Sequence, residues 1–238
     1  MKIDILAFAA HPDDIEISAA GTLMRHIAQG KKAVIVDLTA GELGTRGTAE
    51  TRFAEAAESS KILGISDRVN LGLADGFFDL SRESKLKLIE QIRRFKPEIV
   101  FANALSDRHP DHGRAAQLAS EACFLAGLPK VETMWEGKKQ EAWRPKALYH
   151  YIQENYLKPD FVVDISEFAD RKIAALKAFK TQFYDPQSKE PMTPISTESY
   201  FDFLKGRWMD FGKGIGANYA EGFHTARPMG VNDLTTLL

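Results

Sequence analysis

The chain holds a single cysteine, Cys123, which excludes an internal disulfide framework. It lacks any apolar run approaching the roughly 18 residues that a membrane span requires. The stretch Ile5 to Ala10 is too short for a signal peptide, carries Asp4 near its start and runs directly into His11-Pro12-Asp13-Asp14. An excess of one charge is missing too. With 31 basic and 33 acidic residues the net charge is −2, so nothing in the overall balance draws the chain to nucleic acid or to an anionic membrane, and any basic site must be local. Internal repeats and low-complexity tracts are also absent. The composition, 44% hydrophobic and 27% charged, is that of a soluble globular protein. A cytoplasmic location is expected.

What is present is an alternation of strand and helix signals. Ile3 to Ala9 reads as a buried strand, and Ala20, Leu23, Met24 and Ile27 follow helical spacing up to a stop at Gly30. Ala33 to Leu38 is a second strand, followed after the loop Gly41 to Gly47 by a helix from about Ala49 to Leu63. Val69 to Leu73 is a weaker third strand, Leu86 to Arg93 a helix ending before Pro97, Ile99 to Ala102 a fourth strand, and Gly113 to Ala126 another helix. Cys123 falls on the apolar face of that last helix and reads as a core thiol. This rhythm predicts an α/β fold: a Rossmann-like parallel sheet, order 3-2-1-4 at its core, flanked by helices. The second half is less regular, with strands at Leu148 to Ile152 and Phe161 to Ile165, a helix from about Glu167 to Phe179 and an aromatic helix or turn through Tyr200 to Phe211. One domain is expected over 1–238, with a core over 1–127 and a C-terminal elaboration over 128–238.

In a sheet of that order, strands one and four are neighbours, and ligands bind beyond their carboxyl ends. Strand one ends at His11-Pro12-Asp13-Asp14, and strand four is followed by Asp107-Arg108-His109-Pro110-Asp111-His112. Metal- and proton-handling side chains therefore converge on one crevice. His11 and Asp14 stand three apart at a strand-to-helix turn, and His112 can complete the set from the neighbouring loop. Two histidines and a carboxylate, with a position left for water, form a common catalytic zinc arrangement. Asp13 is then free to act as general base. The bland reading of either motif alone, a capped helix start or a polar loop, has to hold for both at the one place where the topology puts sites.

The AHPDD after the first strand, the TAGELGTRGT loop with Arg52 behind it, and the RHPDH after the fourth strand closely resemble the PIG-L/LmbE-like family of zinc-dependent N-acetylglucosaminyl deacetylases. The chain looks most like the members that act on N-acetylglucosaminyl malate in bacillithiol biosynthesis. The resemblance extends to Lys172-Ile173-Ala174-Ala175-Leu176-Lys177, Gln182 and Tyr219-Ala220-Glu221-Gly222-Phe223. It implies His11, Asp14 and His112 as zinc ligands (ferrous iron being the other ion to consider) and Asp13 as base. It further implies His109 as the group that stabilises the intermediate or protonates the leaving amine, with Asp111 orienting it. Arg52 matches a substrate-binding arginine, and Asp75 and Glu42 match sugar-hydroxyl contacts. Arg52, with Arg108 as second candidate, offers a fork for the malate carboxylate. The chain departs from the family pattern at Gln182-Phe183-Tyr184, where many relatives have Tyr-x-Ser-Gln. A homo-oligomer, with hexamers among relatives, is also implied.

Other signals carry less. Gly41, Gly44 and Gly47 lack the Gly-Lys-Ser/Thr ending of a phosphate loop, and Gly212, Gly214 and Gly216 read as a flexible loop. His26 reads as a surface residue, His150 as a packed strand residue, and His224 as a tail residue near a site edge or a neighbouring subunit. A non-haem Fe(II) oxygenase shares the two-histidine, one-carboxylate set, but Asp13 and the parallel-sheet rhythm favour hydrolysis. A phosphoesterase calls for more carboxylates, and a structural zinc module for more cysteines.

Overall fold

A computed structural model describes residues 2–237. Its central sheet has seven strands. The first half supplies β1 (Ile5–Ala9), β2 (Ala33–Asp37), β3 (Asp67–Asn70) and β4 (Ile99–Ala102), all parallel and ordered 3-2-1-4 as the crossover rhythm requires. The helices between them are α1 (Asp14–Ser18), α2 (Ala20–Ala28), α3 (Ala49–Leu63), α4 (Arg82–Phe95) and α5 (Pro110–Ala126). Local chemistry fixes their ends. Thr48 and Thr51 form a capping box at the start of α3, and Gly64 closes it in the left-handed conformation at φ 77°. Pro110 occupies the first turn of α5, where its missing N–H costs nothing.

The second half extends the same sheet. After the small hairpin β5 (Met134–Trp135) and β6 (Lys138–Lys139), β7 (Ala147–Tyr151) pairs parallel to β4. Beyond β8 (Phe161–Asp164), helices α6 (Ala169–Lys177) and α7 (Tyr200–Lys213) lead to β9 (Ala220–Thr225), which inserts antiparallel between β7 and β8. The periodicity gave no warning of β9, because Glu221 and Gly222 interrupt its apolar residues. Both are explained by packing. Glu221 accepts the backbone N–H groups of Gly21 and Thr22 at the start of α2 and pairs with buried Lys172 at 2.5 Å. At Gly222 a side chain would meet the Phe211 ring at 3.0 Å. Gly212 is likewise no part of a flexible loop: it closes α7, and a Cβ there would stand 2.6 Å from the Ala217 carbonyl.

Two cores sandwich the sheet, as the strand period of two dictates. Leu6, Phe8, Val34, Val36 and Val100 face α4 and α5, whereas Ile5, Ala7, Ala9, Ala33 and Ile35 pack with α2 and α6. Fully burying a side chain such as Leu6 or Phe8 stabilises the fold by about 1.5–3 kcal/mol. Cys123 lies in the first core, and burial pushes its thiol up to about 12. No helix among the described residues is long and apolar enough to cross a membrane. The parallel strands all end on one side, so the segments after β1, β2, β3, β4 and β7 meet there.

Candidate active site

At that meeting point lies a cleft of about 450 Å³, within the range of small-ligand sites. Its walls carry His11, Asp13 and Asp14 from the end of β1, Gly41, Leu43, Gly44 and Thr45 from the loop after β2, and Asp75 to Phe77 after β3. Arg108, His109, Pro110 and His112 follow β4, Gln153 and Glu154 follow β7, and Arg52, Gln182 and Thr193 to Ile195 close the rim. A larger shallow depression lies at the opposite end of the strands, lined by residues such as Arg94, Trp135 and Lys138, and has no histidine in its wall.

His11, Asp14 and His112 are together. Asp14 is buried, with Oδ1 3.2 Å from His112 Nε2 and Oδ2 3.7 Å from His11 Nδ1. Each imidazole is tied down through its other nitrogen. His112 Nδ1 donates to Asp107 at 2.5 Å, and His11 Nε2 donates to Asp75 at 3.0 Å and Asp111 at 3.3 Å. A histidine that binds a metal through one nitrogen and donates the other to a carboxylate has its tautomer and orientation fixed. The donor set fits a divalent ion, which Asp14, His11 Nδ1 and His112 Nε2 would hold. One nitrogen each of His11, His109 and His112 also lie within 4.8 Å of one another, as do single atoms of His11, Asp75 and Asp111.

The electrostatics follow from burial among opposite charges. Burial disfavours the imidazolium of His11, yet hydrogen bonds to Asp111 and Asp75 and the charge of Asp14 push its pKa up to about 10. Burial likewise opposes the charge on His112, but Asp14 and Asp107 push its pKa up to about 9. Burial would raise the Asp14 carboxyl, but His112 and His11 hold it well below the usual carboxylate range. Asp13 goes the other way. Burial outweighs the charge of Arg52 and pushes Asp13 up to about 7. Its backbone stands at φ 120°, a strained conformation for a residue with a Cβ, which belongs to sites where geometry is over-determined. Burial and the neighbouring His11 and His112 charges push His109 below its ordinary value.

The other residues singled out in the sequence have partners of their own. Arg52 is not an open fork: one terminal nitrogen donates to the Pro12 carbonyl at 2.7 Å and to Asp13 at 3.2 Å, and the other to Gln182 at 2.5 Å. The glycines beside it make room, since a Cβ at Gly41 or Gly44 would stand 3.2 Å from the guanidinium. Asp75 holds His11 and accepts the Leu43 N–H, so both its oxygens are engaged. Glu42 accepts the backbone N–H groups of Ala40 and Asp75, bracing two loops outside the cleft wall. The Asp111 carboxylate does not orient His109. It binds His11, Arg114 and the Gly76 N–H, and only the Asp111 backbone N–H reaches His109 Nδ1, at 3.3 Å. Arg108 remains open at the rim, its nearest carboxylate being Glu154 at 3.8 Å. Tyr184 and His224 lie outside the cleft wall, and His224 pairs with Asp160 at 3.3 Å.

Reasoning from sequence missed Asp107, Asn103 and Gln153 as supports. Asn103 Nδ2 and Gln153 Nε2 donate to Asp14 at 2.9 and 2.7 Å. Asp107 alone carried a signal, five residues before His112 in the same polar run. The other two sit at strand ends with no pattern to mark them.

Comparisons with known proteins bear on the family. The sequence family described as "PIG-L: GlcNAc-PI de-N-acetylase" matches residues 6–123, which contain both histidine motifs. An uncharacterised deacetylase of Escherichia coli (strain K12) is 33% identical over 74% of this chain and 90% of its own length. A diacetylchitobiose deacetylase of Thermococcus kodakarensis is 28% identical, covering 92% and 81%. A probable N-acetyl-α-D-glucosaminyl L-malate deacetylase of Bacillus anthracis is 25% identical, covering 75% and 81%. Among solved structures, the conserved protein TT1542 of Thermus thermophilus superposes with a TM-score of 0.87 at 38% identity, covering 98% of both chains. With its paired histidine motifs gathered in one cleft and these relatives beside it, the chain belongs to the PIG-L family and is an amide-hydrolysing N-deacetylase.

Proposed function

We propose that the protein is a zinc-dependent deacetylase of N-acetylglucosaminyl conjugates, and that N-acetylglucosaminyl malate is its substrate. The observation that carries the hydrolytic reading is the pair of adjacent aspartates with opposite character. Asp14, flanked by two oriented imidazoles, stays ionised as a ligand, while Asp13, pushed up to about 7, can take and return a proton at neutral pH.

A divalent ion in this set supplies a Lewis acid that acidifies its water and polarises an amide oxygen. The residues of the chain do the rest. Asp13 accepts the proton from the attacking water, held in place by Arg52. His109 accepts the Asp111 N–H at Nδ1, so a neutral ring carries its proton on Nε2, which can give a hydrogen bond to the developing oxyanion. The amide C–N bond breaks, the nitrogen takes back the proton that Asp13 received from water and leaves as the free amine, and acetate is the other product.

The malate reading rests on Arg108 and on the Bacillus relative. With Arg52 committed to Asp13, Arg108 is the guanidinium on the cleft wall whose fork stays free for a carboxylate. The Thermococcus relative points instead to a neutral second sugar. The same reading makes the protein a single-domain, cytoplasmic homo-oligomer that handles a small molecule and neither nucleic acid nor membrane.

The test is release of free amine by zinc- or ferrous-loaded protein from N-acetylglucosaminyl malate, diacetylchitobiose and N-acetylglucosamine. The malate conjugate is expected to give the highest kcat/KM, without need of oxygen. Equal rates on all three would discard malate and keep the deacetylase. No amine from any of them, with either metal, would sink the hydrolytic reading.

A further inference from the structure

Asp14 is hydrogen-bonded more completely than a metal ligand needs to be. Its Oδ2 accepts the His11 backbone N–H at 3.0 Å and Asn103 Nδ2 at 2.9 Å, which uses both lone pairs of that oxygen. Its Oδ1 accepts Gln153 Nε2 at 2.7 Å and keeps one lone pair, on the side where His112 Nε2 stands 3.2 Å away. We propose that Gln153 is a positioning residue that fixes Asp14 Oδ1 with its remaining lone pair turned to the cation, Oδ2 being closed by the His11 N–H and Asn103. The inference rests on the metal-dependent reading above and adds a residue from beyond the segment that matches the family.

Three observations support it. Gln153 is only 3% exposed, and its amide orientation is dictated by Asp14, because only the NH₂ end can face a carboxylate. Its Oε1 is buried without a hydrogen-bond partner among the described residues. An unsatisfied buried acceptor is destabilising, so the fold gains little from this side chain except the N–H that reaches Asp14. Finally, Gln153 is placed by β7, which ends at Tyr151 beside β4, so the position is rigid. A carboxylate held to one oxygen leaves the ion room for both water and a substrate oxygen, as an open catalytic site requires.

Gln153→Met keeps the length and bulk of the side chain while removing both the donor and the orphaned acceptor. The expected result is a zinc dissociation constant raised about 10–100-fold, the range for loss of an outer support. The visible spectrum of the cobalt-substituted protein should change, because Asp14 is released to turn. The melting temperature of the metal-free protein should stay close to wild type, since a packing role would lower it with or without metal. If Q153M is not recovered folded, Q153N, with the same amide on a shorter stem, is expected to show the same loss of affinity. Unchanged zinc affinity together with an unchanged cobalt spectrum overturns the proposal, as does a metal-free melting temperature that falls as far as that of the loaded protein. Wild-type protein that takes up neither zinc nor cobalt refutes the metal-dependent reading and this inference with it. Wild-type protein that binds both, with variants indistinguishable from it, refutes only the role of Gln153.

Discussion

The two halves of the chain contribute differently to the cleft. In the proposed mechanism the first half brings the groups with reactive chemistry: His11, Asp13 and Asp14 beyond β1, His109 and His112 beyond β4. Asp75, Asn103, Asp107 and Asp111 of the same half hold them, and the second half brings supports alone. Gln153 supports Asp14, Gln182 receives Arg52 behind Asp13, and the backbone N–H groups of Glu154 and Asn155 secure Asp107 behind His112. Supports of this kind can come from any element whose end reaches the site, because an amide or a backbone N–H serves wherever the distance is right. Ligands and bases cannot be exchanged so freely, since their chemistry depends on residue type. A short motif therefore carries the reaction, and a dispersed set of hydrogen bonds carries its geometry.

The largest effect should come from breaking the first half's chemistry. Asp13→Asn keeps the side-chain shape and removes the base. We expect kcat to fall by about 10²–10⁴-fold with zinc content unchanged, measured by steady-state kinetics and metal analysis. Full activity in that variant would remove Asp13 from the mechanism.

The pH dependence of metal uptake comes next. His11 and His112, at about 10 and 9, both carry a proton at pH 7 in the metal-free protein. A ligand nitrogen must lose that proton, so apparent affinity rises with pH, by up to about 100-fold per unit while two protons are displaced. Stability of the metal-free fold runs the opposite way. A raised folded-state pKa stabilises fully below the ordinary histidine value of 6.5 and is lost as pH climbs through about 9 to 10. Chelator competition between pH 6 and 9, and melting of the metal-free protein over the same range and above, measure both trends. A flat affinity profile would contradict the proposed ligands.

A second-half support gives a smaller change. Gln182→Ala leaves one terminal nitrogen of Arg52 without its acceptor, and about a tenfold drop in kcat with little change in KM is expected. Gln182→Glu, which restores an acceptor, should recover most of it. An effect as large as that of Asp13→Asn would erase the distinction between reacting and supporting halves. Smallest of all, Arg108→Ala should raise KM several-fold for a malate-bearing substrate and leave an uncharged one unaffected, in line with the modest energy of an exposed ion pair.

Much of the fold was legible because hydrophobic period and punctuation agree in the first half. Ile5–Ala9 and Ala33–Asp37 are buried on both faces and read as continuous apolar runs, while Gly64 and Pro97 mark helix ends. Strand β9 was not legible, since Glu221 and Gly222 answer to partners 200 residues away in α2 and nearby in α7. In the site, the residue types that bind metals and move protons stood out in AHPDD and RHPDH. The roles of Arg52, Asp75, Glu42 and Asp111 did not, because a charged side chain near a site has the same letter whether it touches substrate or braces a neighbour.

By itself, then, the sequence determined the order of the parallel strands, the crevice at their carboxyl ends and the residues able to bind a metal and transfer a proton. Periodicity and side-chain chemistry are local properties. Only the tertiary structure decided that Asp75 and Asp111 hold His11, that Asp107 holds His112, and that Arg52 faces Asp13. It also set the two adjacent aspartates apart, one kept ionised between imidazoles and the other pushed toward neutrality, because burial and opposing charge act through space and not along the chain.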